Sequence, residues 1–203
     1  RQVRNPSGLL GGRVIRAMNL SHARMTDWAL SHVTVAKDAT ILDVGCGGGR
    51  TIQQLAIMAP QGKVYGVDIS AASVAASQAT NAAETATGRV NVQQASVAAL
   101  PFPDRQFDLV TASETHYYWP DLPANVREVL RVIKPGGTIC LIAETHRNGV
   151  LGHLYRIPMA LIRATHLSDA EFRELLITAG FADVQTLHRP GRNWICAVGR
   201  KPA

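Results

Sequence analysis

The chain lacks any uninterrupted apolar run of the roughly 20 residues that a membrane-spanning helix needs. Its first residues also lack the positive, then apolar, then small-residue pattern of a secretory signal. Both absences predict a cytoplasmic protein without membrane contact. Cysteine is scarce as well. An odd number of cysteines in apolar segments favours reduced, packed thiols over disulfides or a metal cluster, and the three are Cys46, Cys140 and Cys196.

The 203 residues are 46% hydrophobic, enough to bury the core of one domain or of a domain with a cap. The net charge of +6 is concentrated at the start of the chain. Residues 1–37 contain six basic residues and one acidic residue, Asp27, a net charge of +5. Such an arm attracts RNA, DNA or an acidic substrate, but it is also typical of a solvated helical face.

The most informative segment is ILDVGCGGGR, residues 41–50. Its apolar start predicts a strand buried in a parallel sheet. Glycines follow at positions 45, 47, 48 and 49, where the absence of Cβ atoms permits a sharp turn and close approach of a ligand to backbone N–H groups. Apolar residues at helical spacing then predict a helix from residue 51, whose positive end faces the turn.

A second apolar strand, residues 63–70, contains Asp68 near its end. In nucleotide-binding sheets, an acid at this place accepts hydrogen bonds from the ribose hydroxyls. The dinucleotide fingerprint Gly-x-Gly-x-x-Gly is not matched, because Arg50 stands where the third glycine belongs. A dinucleotide-dependent oxidoreductase using NAD is therefore a weaker hypothesis.

The residues instead spell Asp43-x-Gly45-x-Gly47-x-Gly49, which resembles the first motif of the class I S-adenosylmethionine-dependent methyltransferases. The resemblance continues through an alanine-rich helix near 70–87, strand segments near 89–95, 99–113 and 134–144, and a closing hairpin near 183–188 and 193–199. It implies an α/β fold: a doubly wound, mostly parallel seven-stranded sheet with an antiparallel terminal strand. A capping box of Ser168 and Glu171 opens the last helix, which Gly180 ends.

The resemblance also implies a division of the chain. Residues 1–37 form an N-terminal helical cap, residues 38–203 form the Rossmann-like domain, and residues 145–165 form an insert that covers the substrate pocket. Within the cap, Asn19, His22 and Thr26 share a helical stripe that can face the cofactor or the substrate.

S-adenosylmethionine is the cofactor that the resemblance implies, and S-adenosylhomocysteine is its product. Asp68 is the expected ribose ligand, and Ser96 stands where the family usually has an acid that bonds the adenine amino group. A hydroxyl there makes a weaker bond than a carboxylate. Ile69 and Val97 would sandwich the adenine. The cofactor-binding residues are thus Asp43, Gly45, Gly47, Gly49, Asp68, Ile69, Ser96, Val97 and Ser113.

The acceptor is expected at the carboxyl ends of the strands, where α/β sheets bind ligands. His116 has a suitable ordinary pKa for a general base, and Tyr117 can orient an acceptor; both residues also suit aromatic packing. The family's amino-methylating enzymes carry Asn/Asp-Pro-Pro-aromatic where this chain has residues 113–116, and no proline-cysteine loop for cytosine methylation is present. A small-molecule acceptor is therefore favoured, and an RNA-directed methyltransferase using the basic arm is the alternative.

Overall fold

The structure is a computed structural model that describes residues 23–148, 157, 159 and 164–203. Asn19, His22 and most of the segment predicted to cover the pocket lie outside these residues. The division into a cap over residues 1–37 and an insert over residues 145–165 therefore remains a prediction.

Seven strands form one sheet in the order β3-β2-β1-β4-β5-β7-β6. Strand β7 runs antiparallel to both of its neighbours, β5 and β6, and the other neighbouring pairs are parallel. The predicted fold class is confirmed, including the closing hairpin. The strands are β1 (Thr40–Val44), β2 (Lys63–Asp68), β3 (Val90–Gln94), β4 (Phe107–Ser113), β5 (Ile133–Ala143), β6 (Ala182–His188) and β7 (Ile195–Arg200).

Helices cover both faces of the sheet, because its central strands are apolar on both sides. On one face, α1, described over residues 23–30, and α2 (Arg50–Met58) bury residues such as Met25 and Leu55. On the other face, α5 (Leu122–Val132) and α6 (Asp169–Ala179) bury residues such as Val126 and Phe172. None of the helices in the described part of the chain is long and apolar enough to cross a membrane.

Local signals set the ends of α6 as predicted. The Ser168 hydroxyl accepts a hydrogen bond from the Glu171 N–H, and the Glu171 carboxylate accepts one from the Ser168 N–H, so the capping box is complete. Gly180 ends the helix with φ of 109°, in the left-handed region that glycine adopts without strain. The three cysteines are buried free thiols, which confirms their predicted state.

The prediction of a single alanine-rich helix near 70–87 is wrong. The segment forms two helices, α3 (Ala71–Thr80) and α4 (Ala82–Ala86), separated at Asn81. Asn81 is fully buried, and its side-chain Nδ2 donates to the carbonyls of Ser77 and Gly49, at 2.8 and 3.0 Å. Asparagine side chains compete with the backbone for the hydrogen bonds of a helix. Here the Asn81 side chain bonds to the glycine turn, and the helix is interrupted at this residue.

Candidate functional site

The turn after β1 is bonded to the end of β2. The N–H groups of Gly45 and Cys46 donate to the Val67 carbonyl at 2.7 and 3.0 Å. Gly45 has φ of 76°, and a Cβ on it would lie 2.3 Å from Cγ2 of Thr115. The Thr115 hydroxyl in turn donates to the Val44 carbonyl at 3.0 Å. Glycine is required here because the segment after β4 packs directly against the turn.

Gly47 faces open space. Its φ is 51°, and a Cβ on it would meet nothing within 4 Å. Its N–H donates to Oδ2 of Asp68 at 3.0 Å, while Oδ1 of Asp68 accepts from the Ser70 N–H at 2.8 Å. The structure thus brings the glycine turn and the tip of β2 together, as predicted, beside a space that a side chain at position 47 would fill.

The turn ends at Gly49, the residue before α2. Gly49 has φ of 81°, and no side chain caps the first N–H groups of the helix. A Cβ here would lie 2.5 Å from Nδ2 of Asn81, whose hydrogen bond to the Gly49 carbonyl fixes the turn against α3. Asn81 was not among the residues predicted from the sequence, where an asparagine inside an alanine-rich helix was the available signal. The α2 N-terminus therefore presents its positive end to the turn.

Two carboxyl groups lie at this end of the sheet. Asp43 is 2% exposed, and its Oδ1 accepts from the Thr111 hydroxyl at 2.7 Å. Burial raises its pKa to about 7, against the opposing effect of the Thr111 bond and with a further contribution from the Asp68 charge. Burial also raises the pKa of Asp68, opposed by its backbone hydrogen bonds. Such shifts are typical of functional sites and leave both groups sensitive to a bound cation.

The residues predicted to hold an adenine have unequal exposure. The side chain of Ile69 is 46% exposed beside Asp68, whereas Val97 is 7% exposed and belongs to the main core. The Ser96 hydroxyl is half-buried and accepts from the Ala98 N–H at 3.2 Å, which closes a tight turn after β3. Of the three, Ile69 offers the largest apolar surface to a ligand.

At the end of β4, Ser113 reaches the N-terminal helix. Its Oγ lies 3.2 Å from Oγ1 of Thr26 on α1, and Thr26 is 3% exposed. Three residues were predicted to share a stripe on the N-terminal cap, and Thr26 is the one that the structure describes. It contacts the end of β4 next to the glycine turn.

His116 and Tyr117, the two predicted catalytic residues, are both buried. His116 is fully buried between the rings of Tyr117 and Phe172, and neither ring nitrogen has a partner among the described residues. Burial, with a smaller contribution from the nearby His166, lowers the pKa of His116 to about 3. An imidazole that stays neutral and packed against aromatic rings is poorly placed to accept a substrate proton.

Tyr117 takes part in a network centred on Thr145. Its hydroxyl lies 3.2 Å from Oε1 of Glu114 and 3.3 Å from the Thr145 carbonyl. Burial raises the pKa of Tyr117 well above its ordinary value, and the Glu114 charge adds to this. The Thr145 hydroxyl accepts from Nδ2 of Asn193 at 2.9 Å and lies 3.1 Å from Nε2 of His166. This network was not predicted from the sequence, because its members come from four separate segments.

Comparisons with known proteins agree with this geometry. A family model described as a methyltransferase domain matches residues 41–137. A demethylmenaquinone methyltransferase of Symbiobacterium thermophilum is 41% identical over 106 residues, which are 51% of this chain and 42% of that protein. Nocamycin O-methyltransferase of Saccharothrix syringae is 34% identical over 171 residues, covering 73% of this chain and 61% of that protein. The chain thus spans about half the length of these curated relatives.

Human N-acetylserotonin methyltransferase, solved in complex with S-adenosylmethionine, superposes with a TM-score of 0.76 at 21% identity, over 93% of this chain and 55% of that one. This likeness shows the fold. The open space at Gly47 and the Asp68 carboxylate fit a cationic, ribose-bearing cofactor, and the positive, uncapped α2 N-terminus fits a carboxylate group on it. The sheet order, the glycine turn joined to Asp68 and the matched relatives together place the chain in the class I S-adenosylmethionine-dependent methyltransferase family.

Proposed function

We propose that this protein transfers the methyl group of S-adenosylmethionine to a small-molecule acceptor by in-line displacement. The observation that carries the proposal is the joining of the glycine turn to Asp68 through the Gly47 N–H, with open space at the Gly47 Cβ position. Arg50, at the start of α2, replaces the glycine that a dinucleotide would require.

The bound cofactor would supply a methyl carbon that is already activated for displacement. The chain would hold it through the backbone of the turn at Gly45, Gly47 and Gly49, with Asp68 accepting from the ribose hydroxyls. Asp43 would place a carboxyl group beneath the turn. The adenine would lie on Ile69, near Ser96 and Val97, and Ser113 would border the reacting end.

The acceptor would bind above the carboxyl ends of β4 and β5. Methyl transfer depends chiefly on holding the nucleophile in line and excluding water, so side chains there act mostly by positioning. Thr26 on α1 closes one side through its contact with Ser113. The names of the two relatives, demethylmenaquinone methyltransferase and nocamycin O-methyltransferase, favour an organic small molecule over a macromolecule.

The first test is calorimetric titration with S-adenosylmethionine, S-adenosylhomocysteine and NAD, paired with thermal unfolding. Binding of the first two should raise the unfolding midpoint by several degrees at saturation, while NAD has no effect. A shift with NAD alone would instead support the oxidoreductase. The second test incubates the enzyme and S-adenosylmethionine with panels of quinols, phenols and amines, and with tRNA, and measures S-adenosylhomocysteine. Product with tRNA alone would favour the RNA-directed alternative.

A further inference from the structure

Glu114 has an unusual backbone conformation at the end of β4. Its φ is 61°, in the left-handed region, and its N–H donates to the Ile142 carbonyl at 2.9 Å. Two other described non-glycine residues have positive φ, Arg105 in a turn and Asp183 at the irregularity in β6, and both side chains are exposed. The Glu114 side chain is half-buried. Backbone strain of this kind concentrates at functional sites, where surrounding contacts hold it in place.

The Glu114 carboxylate is held by donors from two directions. Its Oε1 accepts from the Tyr117 hydroxyl at 3.2 Å and from the backbone N–H of Glu144, just beyond β5. Tyr117 is itself fixed, since its hydroxyl oxygen also lies 3.4 Å from the Thr145 N–H donor. Thr145 is bonded in turn to Asn193 and His166. The orientation of the carboxylate is therefore set by the protein before any ligand binds.

The neighbours of Glu114 in sequence place it beside the cofactor turn. Ser113 contacts Thr26 of α1, and Thr115 bonds to the Val44 carbonyl and touches Gly45. Glu114 lies between these two anchored residues. The segment from 113 to 115 thus fixes a carboxylate where the glycine turn, α1 and the end of β5 converge.

We propose that Glu114 is the proton acceptor for a hydroxyl or amine nucleophile, with Tyr117 as the residue that positions it. The inference rests on the proposed function. The nucleophile's lone pair forms the bond to the methyl carbon, and the methyl–sulfur bond breaks with its electron pair passing to sulfur, which becomes a neutral thioether. The proton of the nucleophile moves to the Glu114 carboxylate and then to solvent. The acceptor class is therefore one with an ionisable O–H or N–H group, such as a phenol or an amine.

Other titratable groups lie near the Glu114 carboxylate, and their effects on the pH dependence of the reaction must be distinguished from its own. Tyr117 contacts it directly, Glu144 follows β5, and His166 approaches through Thr145. Thr26, the described residue of α1 that contacts Ser113, is uncharged. His116 does not compete as the proton acceptor, because it is buried against aromatic rings.

The test compares Glu114→Gln with Glu174→Gln, which makes the same charge change at an exposed position on α6. With the best hydroxyl or amine acceptor of the wild type, Glu114→Gln should lower kcat by about 100-fold, the usual scale of general-base catalysis. The acidic limb of its kcat/KM profile should disappear. Calorimetry should show unchanged affinity for S-adenosylhomocysteine, and weaker acceptor binding to the enzyme loaded with that product. Glu174→Gln should match the wild type in every measurement.

Tyr117→Phe and Glu144→Gln complete the design. The first should lower kcat several-fold while retaining the acidic limb, because the base remains but its orientation is lost. The second should also retain the limb. Wild-type kcat and an intact acidic limb in Glu114→Gln would overturn the inference while leaving the proposed function standing, as would loss of the limb in Glu144→Gln alone. Failure of the wild type to bind S-adenosylmethionine, or to methylate any hydroxyl or amine, would overturn it as well; the first of these results would also refute the proposed function.

Discussion

The two halves of the proposed site are built differently. The cofactor half is made of backbone and of residues close together in sequence: the turn from Gly45 to Gly49 and Asp68 at the next strand end. The acceptor half is made of side chains from separate segments, with Thr145 bonding Asn193, His166 and Tyr117. The first has a motif because its geometry depends on missing Cβ atoms; the second has none, because its geometry depends on tertiary contacts.

The substitution with the largest expected effect on the cofactor half is Gly47→Val. The branched side chain would enter the open space beside Asp68 in a left-handed conformation, so we expect binding of S-adenosylhomocysteine to be lost in calorimetry. Gly88→Val is the matched control, since Gly88 also has positive φ, 73°, and open space around its Cβ position but precedes β3. The control should lose similar stability and keep its affinity. Equal loss of affinity in both variants would contradict the assignment of the turn.

Asp43→Asn should give the next largest effect, on the pH dependence of stability. Because the pKa of Asp43 rises from 3.8 to about 7, the folded state retains a proton that the unfolded chain has lost. Stability should therefore decrease as the pH rises from 4 to 7, by about 4 kcal/mol in total for this group. The Asn side chain of the variant does not titrate, so the variant does not lose this stability, and its oxygen can still accept from the Thr111 hydroxyl.

Urea unfolding without cofactor, from pH 4 to 8, measures this effect as wild type minus variant. The subtraction removes the contribution of His116, whose lowered pKa has the opposite sign and makes the protein less stable as the pH falls below 6.5. A difference that stays constant with pH would show that Asp43 is not held protonated.

Asp68→Asn tests the proposed ribose contact in the cofactor half. The amide keeps one oxygen for the two backbone donors, Gly47 and Ser70, and has no charge for the ribose hydroxyls. Affinity for S-adenosylhomocysteine should weaken by roughly 1.5 to 3 kcal/mol, the scale of a hydrogen bond to a charged group. Asp38→Asn, an exposed position before β1, is the control and should bind normally. Unchanged affinity in Asp68→Asn would show that another residue binds the ribose hydroxyls.

The smallest expected effect concerns the boundary between the halves. Thr26→Val and Ser113→Ala each remove one partner of the 3.2 Å contact between α1 and β4. A double-mutant cycle should give a coupling energy of about 1 kcal/mol in urea unfolding, typical of a partly buried hydrogen bond. Additive effects would show that this contact does not hold α1 on the sheet.

Most of the fold could be predicted because its signals are local. The buried strands, the glycine turn and the capping box at Ser168 are each specified within a few residues. Asn81 shows the limit of such signals: alanine content favours one helix, and a hydrogen bond to Gly49, 32 residues away, breaks it. His116 shows the same limit for chemistry: its ordinary pKa suits a general base, and burial against Phe172, which no local pattern indicates, lowers that pKa to about 3. The cytoplasmic location remains a prediction.

The sequence by itself determined the strand segments and the glycine turn, because spacing of apolar residues and the absence of Cβ atoms act through the nearby backbone, while the sheet architecture was implied by the resemblance to the methyltransferase family. Only the tertiary structure decided which polar side chains meet at the acceptor end. Tyr117 is a candidate from the sequence, but its contacts with Glu114 and Thr145 come from the tertiary structure, which brings Thr145 from just beyond β5 to the end of β4. Burial and distance there set charge and orientation, and neither quantity is encoded by residue type alone.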